Sequence, residues 1–482
     1  MSVLVVDVGT SGVRSAVVEA TGSVGPVHHR ELPPSARDQL FVEFDAAAMA
    51  AAVLDLARAA LDEHGGPVEA VGIANQRSST VLWDRATGVP VGPGVGWQDL
   101  RTAGMCLALR SQGLRLAPNE SATKLAFLLD LADPGRTRDL CFGTVDTWVA
   151  WTLSQGQVHV TDLSNAGLSG MLHLDASGWN LEVLEALRIP PSVLPSLVDS
   201  SGVVGAASAL PGAPPIAGRA GDQQASLLGQ GCVRPGMAKV TFGTGGMLDM
   251  CLGGVRPEFD RRGPAGTFPV VAWRIGGALT WGVEAAMLSA GQAVAWLRDD
   301  LGILGTPAES EAVAARCKDS GGVMFVPALQ GLGAPVWDFG ARGTLLGLAR
   351  GAGRPEIVRA VLEGVAHRAV DLIESAEADG GHPIASLRAD GGMTANGVFV
   401  QALADAAQRP VEVSRVREAT TLGAAFLAGL ATGVWSDLDE CAATWSPATV
   451  VEPVRHPNRE KWRDARDRAK AWIPELSALD FF

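Results

Sequence analysis

An aspartate framed by glycine and glutamine, Gly221-Asp222-Gln223-Gln224, is followed shortly by a glycine turn, Phe242-Gly243-Thr244-Gly245-Gly246. A carboxylate so placed can take the proton of an attacking hydroxyl, and glycine turns let backbone N–H groups close on phosphates without a Cβ in the way. A second such turn opens the chain: Asp7-Val8-Gly9-Thr10-Ser11-Gly12-Val13-Arg14 lies between two strand-like runs, residues 3–6 and 15–19. Two such runs about a Gly/Thr/Ser turn predict a hairpin. No Lys-Ser/Thr follows it, so it reads as a β-hairpin phosphate loop rather than a strand-to-helix one, with a plain structural hairpin as the alternative. Asp7 at the end of its strand could hold Mg2+ through water or merely close the turn. Further on, Asp390-Gly391-Gly392-Met393-Thr394-Ala395-Asn396 follows a predicted strand and precedes a predicted helix, an arrangement suited to backbone approach to a nucleotide. A base, N–H donors and a metal-holding carboxylate are the parts that phosphoryl transfer needs.

Candidates for an acceptor site lie in the first half. A buried strand at 68–74 delivers Asn75-Gln76-Arg77-Ser78-Ser79-Thr80 at its C-terminal end, where open α/β sheets bind ligands. Gly96-Trp97-Gln98-Asp99 follows. Arg77 and Trp97 suit a polyhydroxy compound, since a guanidinium donates to hydroxyl oxygens and an indole packs on a C–H face. A surface ion pair and a core tryptophan are the plain alternatives, and with 13 Trp in the chain a core role is the default for any one of them.

The elements that must position these residues alternate between strands and helices. The spacing predicts helices over 45–63 (capped by Asp45), 121–131, 355–376, 399–407 and 418–433, strands over 323–327 and 386–389, and a strand-to-helix unit over 142–153. Residues 458–471 read as a charged amphipathic helix docked on the surface. Val6 to Gly12 and Thr241 to Gly246 repeat one pattern about half a chain apart, which points to duplicated halves facing a cleft, with a boundary near Pro235-Gly236. The length, 482 residues, fits two domains, and 47% hydrophobic with 19% charged residues is ordinary for a soluble enzyme. A net charge of -13 argues against a nucleic-acid partner. Six cysteines without close pairing predict buried free thiols in a reducing compartment. No basic leader and no apolar run of roughly 18 residues are seen, so no membrane span and a cytoplasmic location are expected.

The stretches Asn75-Gln76-Arg77, Trp97-Gln98-Asp99, Gly143 to Trp148, Gly221 to Gln224, Gly331 to Pro335, Asp390-Gly391-Gly392 and Thr421 to Ala425, in register, resemble the FGGY carbohydrate kinases. Within that family the chain is most similar to members that phosphorylate glycerol. The resemblance implies an α/β protein of two actin-like (ribonuclease H-like) ATPase domains, 1–236 and 237–482, facing a central cleft. The acceptor would lie mostly on the first and ATP mostly on the second. It implies Asp222 as general base and Asp7 with Asp222 beside Mg2+. Thr10, Ser11, Gly12, Arg14 and Thr244 would attend the phosphates, with Gly291, Gly392 and Asn396 beside the nucleotide. A homodimer or tetramer is the expected assembly. Arg77, Ser78, Trp97, Asn119, Asp222, Gln223 and Met247 would line the acceptor pocket, where this sequence departs from the family pattern. Its Arg-Glu pair is Arg77-Ser78 here, its tyrosine is Asn119 and its aromatic after the second Gly-Thr-Gly turn is Met247. A nucleotide-side glutamine falls at Ala295. The reaction is therefore expected to be kept and the acceptor changed: glycerol or a close polyol first, a longer polyol or a xylulose-type ketopentose second. An actin-like ATP-binding protein without transfer activity is the reading from another class.

Overall fold

The computed structural model describes residues 1–36 and 40–479, so the last three residues of the expected 237–482 domain lie outside the described part. Thirteen strands form one mixed sheet: β1 (Ser2–Val8), β2 (Gly12–Glu19), β3 (His28–Glu31), β4 (Ala70–Asn75), β5 (Ser201–Ala206), β6 (Pro215–Gly221), β7 (Ala238–Phe242), β8 (Gly246–Gly253), β9 (Phe268–Ile275), β10 (Ala278–Met287), β11 (Leu387–Asp390), β12 (Val411–Ser414) and β13 (Pro447–Val451). Their order is β13-β12-β11-β7-β8-β10-β9-β5-β6-β4-β1-β2-β3. Each half begins with an antiparallel hairpin, β1/β2 or β7/β8, whose first strand then pairs in parallel with a later strand, β4 or β11. The two glycine turns recognised in the sequence are the tips of these equivalent hairpins. The halves meet in the sheet at the Ser201–Ile275 bridge between β5 and β9.

The hydrophobic pattern explains the layers. β1 and β4 are buried along their whole length, as strands covered on both faces must be. One face packs under α1 (Ala46–His64) and α3 (Val145–Leu153), which contribute Met49, Val53, Trp148 and Val149 to a core with Leu4, Val6 and Ile73. Asp45 caps α1 by accepting from the N–H groups of Ala47 and Ala48, each at 2.9 Å. The other face packs under α4 (Asp222–Gly229) and α8 (Ala419–Thr432), although α8 belongs to the second half of the chain. The core of the second half lies beneath α6 (Arg354–Gly380) and α7 (Gly397–Ala407), and Leu163, Ala166, Leu172 and Ala176 of the first half pack into it.

The tail helix α9 (Arg459–Arg468) is anchored more deeply than its charged sequence predicts. Trp462 is fully buried, stacks on His367, and donates to Asp371, which also takes Arg459 and Arg368 at 2.7 Å each. Five of the six cysteines are buried, and all six are free thiols. Among the described residues no helix is long and apolar enough to cross a membrane.

Candidate active site

β4 and β6 run in parallel with Gly221 beside Asn75, so their C-terminal ends open at the same place. The residues just past those ends are therefore neighbours. Arg77 Nε lies 3.3 Å from Asp222 Oδ1, and Arg77 Nη1 lies 3.4 Å from Gln224 Oε1. Gly221 makes this approach possible, because a Cβ there would stand 2.7 Å from Arg77 Cδ. Asp222 Oδ1 also accepts from the Gln223 N–H at 2.8 Å, while no donor among the described residues reaches Oδ2. Burial raises the Asp222 carboxyl above its ordinary value, against the pull of Arg77.

Asp7 is the last residue but one of β1, next to β4, and is buried. Burial pushes its carboxyl up to about 7; Arg14 opposes this, and the charges of Asp222 and Glu418 add to it. Arg14 Nη1 stands 3.8 Å from both Asp7 and Glu418. Trp97 is 40% exposed, and its indole N–H donates to Thr10 Oγ1 at 3.0 Å, tying that indole to the first hairpin turn. Ser11 and Arg14 are exposed, whereas Gly12 is packed so closely on the Arg30 carbonyl that a Cβ would stand 2.5 Å from it.

The first turn of α2 (Ser121–Ala132) rests on the Arg77 loop, with Ser121 Oγ donating to the Ser78 carbonyl at 2.9 Å. Ser78 adopts φ 62° and turns its own hydroxyl to the Leu168 carbonyl at 2.9 Å. Asn119, just before α2, is exposed and lends its carbonyl to the buried Lys124, whose ammonium burial lowers to about 7. Met247, near the start of β8, is half-buried.

On the other side, three nucleotide-side candidates converge. The Thr244 carbonyl accepts from Ala290 N at 2.8 Å, and Gly291, which opens α5 (Gly291–Asp299), donates its N–H to the Gly243 carbonyl at 2.9 Å. A Cβ on Gly391 would stand 2.4 Å from the Phe242 carbonyl, which brings the Gly391-Gly392 turn against the second hairpin. Asn396 is the N-cap of α7: its oxygen accepts from Phe399 N and its amide donates to Ser310, both at 3.0 Å. That side chain is spent on holding the helix.

Several residues at this centre carry no motif in the sequence. Glu284 on β10 reaches Arg77 Nη1 at 2.6 Å from the opposite half. Asp249 on β8 lies beside Glu284 in register and pairs with buried Lys239 at 2.8 Å; Lys239 in turn donates to Gln223 Oε1 at 2.5 Å. Burial raises Asp249, with Lys239 opposing. Glu120 is raised by burial and is paired at 3.3 Å with Arg261 from the β8–β9 connection. The only signal available beforehand was the alternation of the strands that carry the first three, which marks Lys239, Asp249 and Glu284 as charges at core-strand positions.

Models of the FGGY family of carbohydrate kinases match the chain in two parts, the N-terminal domain at residues 2–229 and the C-terminal domain at residues 238–432. A glycerol kinase of Aromatoleum aromaticum is 42% identical over 494 residues, covering 98% of this chain and 99% of that protein. Among solved structures, a Plasmodium falciparum glycerol kinase with ADP aligns with a TM-score of 0.90 at 25% identity, covering 99% of this chain and 98% of the other. A xyloylose kinase from Brucella ovis aligns with a TM-score of 0.85 at 26% identity over the whole of both chains.

Proposed function

Because this chain belongs to the FGGY family of carbohydrate kinases, we propose that it moves the γ-phosphoryl group of ATP to a terminal hydroxyl of glycerol or a similar small polyol, with Asp222 as general base. The observation that carries the reading is the state of Asp222. Its Oδ1 is held by Gln223 N–H and Arg77, and its Oδ2 is left for an incoming hydroxyl. The base need not be strong, since the hydroxyl becomes acidic only as the phosphoryl group arrives. Arg77 and Gln223 orient the acceptor, Trp97 packs on its carbon face, and the acceptor oxygen is thereby aimed at the phosphorus before transfer. The proposal places the acceptor on residues 1–236 and the nucleotide on 237–482. Thr10, Ser11, Gly12, Arg14 and Thr244 attend the phosphates from the two hairpins, and Gly291, Gly392 and Asn396 lie on the nucleotide side. It also takes the molecule to work in the cytoplasm as a homodimer or tetramer, on the likeness to the family.

The residues fit a magnesium ion. Asp7 is buried and Asp222 half-buried, the Asp222 charge adds to the rise of the Asp7 pKa, and the guanidinium nearest Asp7 stands no closer than 3.8 Å. Mg2+ is usually held by one or two carboxylates together with substrate phosphates, so a pair suffices. When bound it neutralises phosphate charge. Asp7 and Asp222 would hold it, and the remaining work falls to the side chains above.

A second reading keeps the chemistry and lengthens the acceptor to a larger polyol or a xylulose-type ketopentose. It is favoured by Ser78, whose side chain is directed at Leu168 and offers the pocket no carboxylate. ADP release with Mg-ATP across glycerol, erythritol, threitol, pentitols and ketopentoses separates the two. Turnover strongest with glycerol supports the first, and turnover only with longer acceptors supports the second. Asp222→Asn should lose roughly 10²–10⁴-fold in kcat with the best acceptor while still binding ATP. Near-normal kcat in that variant would remove Asp222 from its role.

A further inference from the structure

We infer that Glu284 is a positioning residue of the acceptor site, one that acts through Arg77 from the opposite domain and keeps that guanidinium from closing on the base. The inference rests on the kinase reading above and adds a residue to it.

Arg77 grows from the loop after β4 in the first half, and Glu284 from β10 in the second. Their 2.6 Å contact is shorter than the 3.3 Å between Arg77 and Asp222, and Glu284 is only 7% exposed. A guanidinium beside a single buried carboxylate settles into a two-pronged pair that engages both oxygens. Such a pair with Asp222 would occupy Oδ2, the oxygen an acceptor hydroxyl needs. Glu284 prevents this by taking Nη1, which leaves only Nε facing Asp222 Oδ1. Among the described residues nothing accepts from Nη2, so the two N–H groups there remain for an acceptor oxygen. Position 78 supplies no carboxylate to Arg77; Glu284 supplies one across the cleft.

The surroundings hold Glu284 in place. Its strand neighbour Asp249 is paired with Lys239, and Lys239 also grips Gln223, the residue after the base. A chain of contacts thus runs from Asp222 through Arg77 to Glu284, beside it Asp249, and on through Lys239 back to Gln223, the two neighbouring carboxylates each answered by a cation, with members from both domains. The acceptor site has its working geometry only when the domains are together.

The test is a comparison of Glu284→Ala, Glu284→Gln and Glu284→Asp with the parent, using the acceptor that the parent turns over best. We expect Glu284→Ala to raise the acceptor KM and lower kcat, with kcat/KM down roughly ten- to a hundredfold, while the ATP KM moves by less than about twofold. Glu284→Asp should recover part of the loss. In an Arg77→Ala background, Glu284→Ala should have little further effect, because the residue acts through Arg77. An undiminished effect in that background, or an equal change in the ATP KM, would overturn the inference. If the alanine variant does not fold, the glutamine variant, which keeps the shape and removes the charge, serves in the same cycle. Small-angle scattering with a non-hydrolysable ATP analogue gives a second readout: the variants should be more open than the parent, and equal radii would count against the domain link. A parent that phosphorylates no acceptor would overturn the kinase reading alone, and the scattering comparison would still decide the Arg77–Glu284 link.

Discussion

His367 shows how far a single side chain can be taken from its ordinary chemistry in this molecule. It lies on α6, stacked on the Trp462 indole at 5.1 Å, with Nδ1 3.2 Å from Arg459 Nη1. Burial, reinforced by the Arg459 charge and only partly countered by Asp371, lowers its pKa to about 4. The folded protein therefore keeps His367 neutral where an unfolded chain would protonate it near its reference value of about 6.5. Its contribution to stability is complete above that value and is lost as pH falls towards 4. His159, buried against Trp83 and Trp151 and lowered to about 4, works in the same direction. Asp146 works in the opposite one, since burial raises it to about 6 and its penalty grows as pH rises from the ordinary carboxylate range, and so do Asp7, raised to about 7, and Asp249, also raised by burial. We predict that His367→Asn, although it lowers the midpoint at pH 7, loses less midpoint than the parent between pH 6.5 and 4.5, because it removes one buried imidazole that the unfolded chain protonates. An unchanged slope in thermal melts would show that other groups set the acid limit.

At the scale of elements, the position of the proposed base depends on two helices crossing almost without side chains between them. Gly423 on α8 sits where a Cβ would stand 1.8 Å from the Ala225 carbonyl of α4, and Gly229 on α4 meets the Ala419 carbonyl at 1.9 Å. Because Asp222 is the first residue of α4, any shift of that helix moves this carboxylate. Gly423→Ala should cost about 1–3 kcal/mol by overpacking. It should also lower kcat at temperatures where the variant is still folded, which melting curves and steady-state rates on one preparation would show. A variant with a lowered midpoint and full kcat would separate the crossing from the base. The helices and glycine turns were readable in advance because each carries a local cause: Asp45 caps α1, Ala/Leu spacing marks α8, and Gly-Thr-Gly needs no neighbour to be a turn. The Gly221-Asp222-Gln223 stretch, which carries the proposed base, stood out for the same reason. Glu284, Asp249 and Lys239 were not, since each is a lone charge inside a strand whose partner is set by pairing across the sheet or by the meeting of two domains. The depth of the tail helix was hidden likewise, because its arginines pair with an Asp371 that is distant in sequence.

For the whole molecule, the consequence is that stability and closure are held by different contacts. The halves share apolar cores, with Leu163 and Ala166 packed into the one beneath α6 and with Cys251, Trp273 and α8 packed against β1 and β4, whereas a few ion pairs connect them across the cleft. The Glu120–Arg261 pair is the most separable of these connections. It joins the residue just before α2, next to Asn119, to the β8–β9 connection, and its side chains keep 18% and 28% of their exposure. A pair so placed contributes at most about 1 kcal/mol, and for domains of this size that corresponds to a midpoint shift of roughly 2–4 °C. Its effect on function should be larger than on stability, because closure must exclude the water that competes with the acceptor for the phosphoryl group. Arg261→Ala should therefore melt within a few degrees of the parent, yet show a higher acceptor KM and a greater share of ADP released without acceptor. Raising the salt concentration should weaken the parent in the same direction and affect the variant less, since a half-exposed pair is screened. Asp371→Asn should do the reverse, lowering the midpoint by removing the fully buried charge that holds Arg368, Arg459 and Trp462 while leaving the coupling of ADP release to acceptor intact. Coupling lost together with stability in Arg261→Ala would mean that this pair holds the fold as well as the closure.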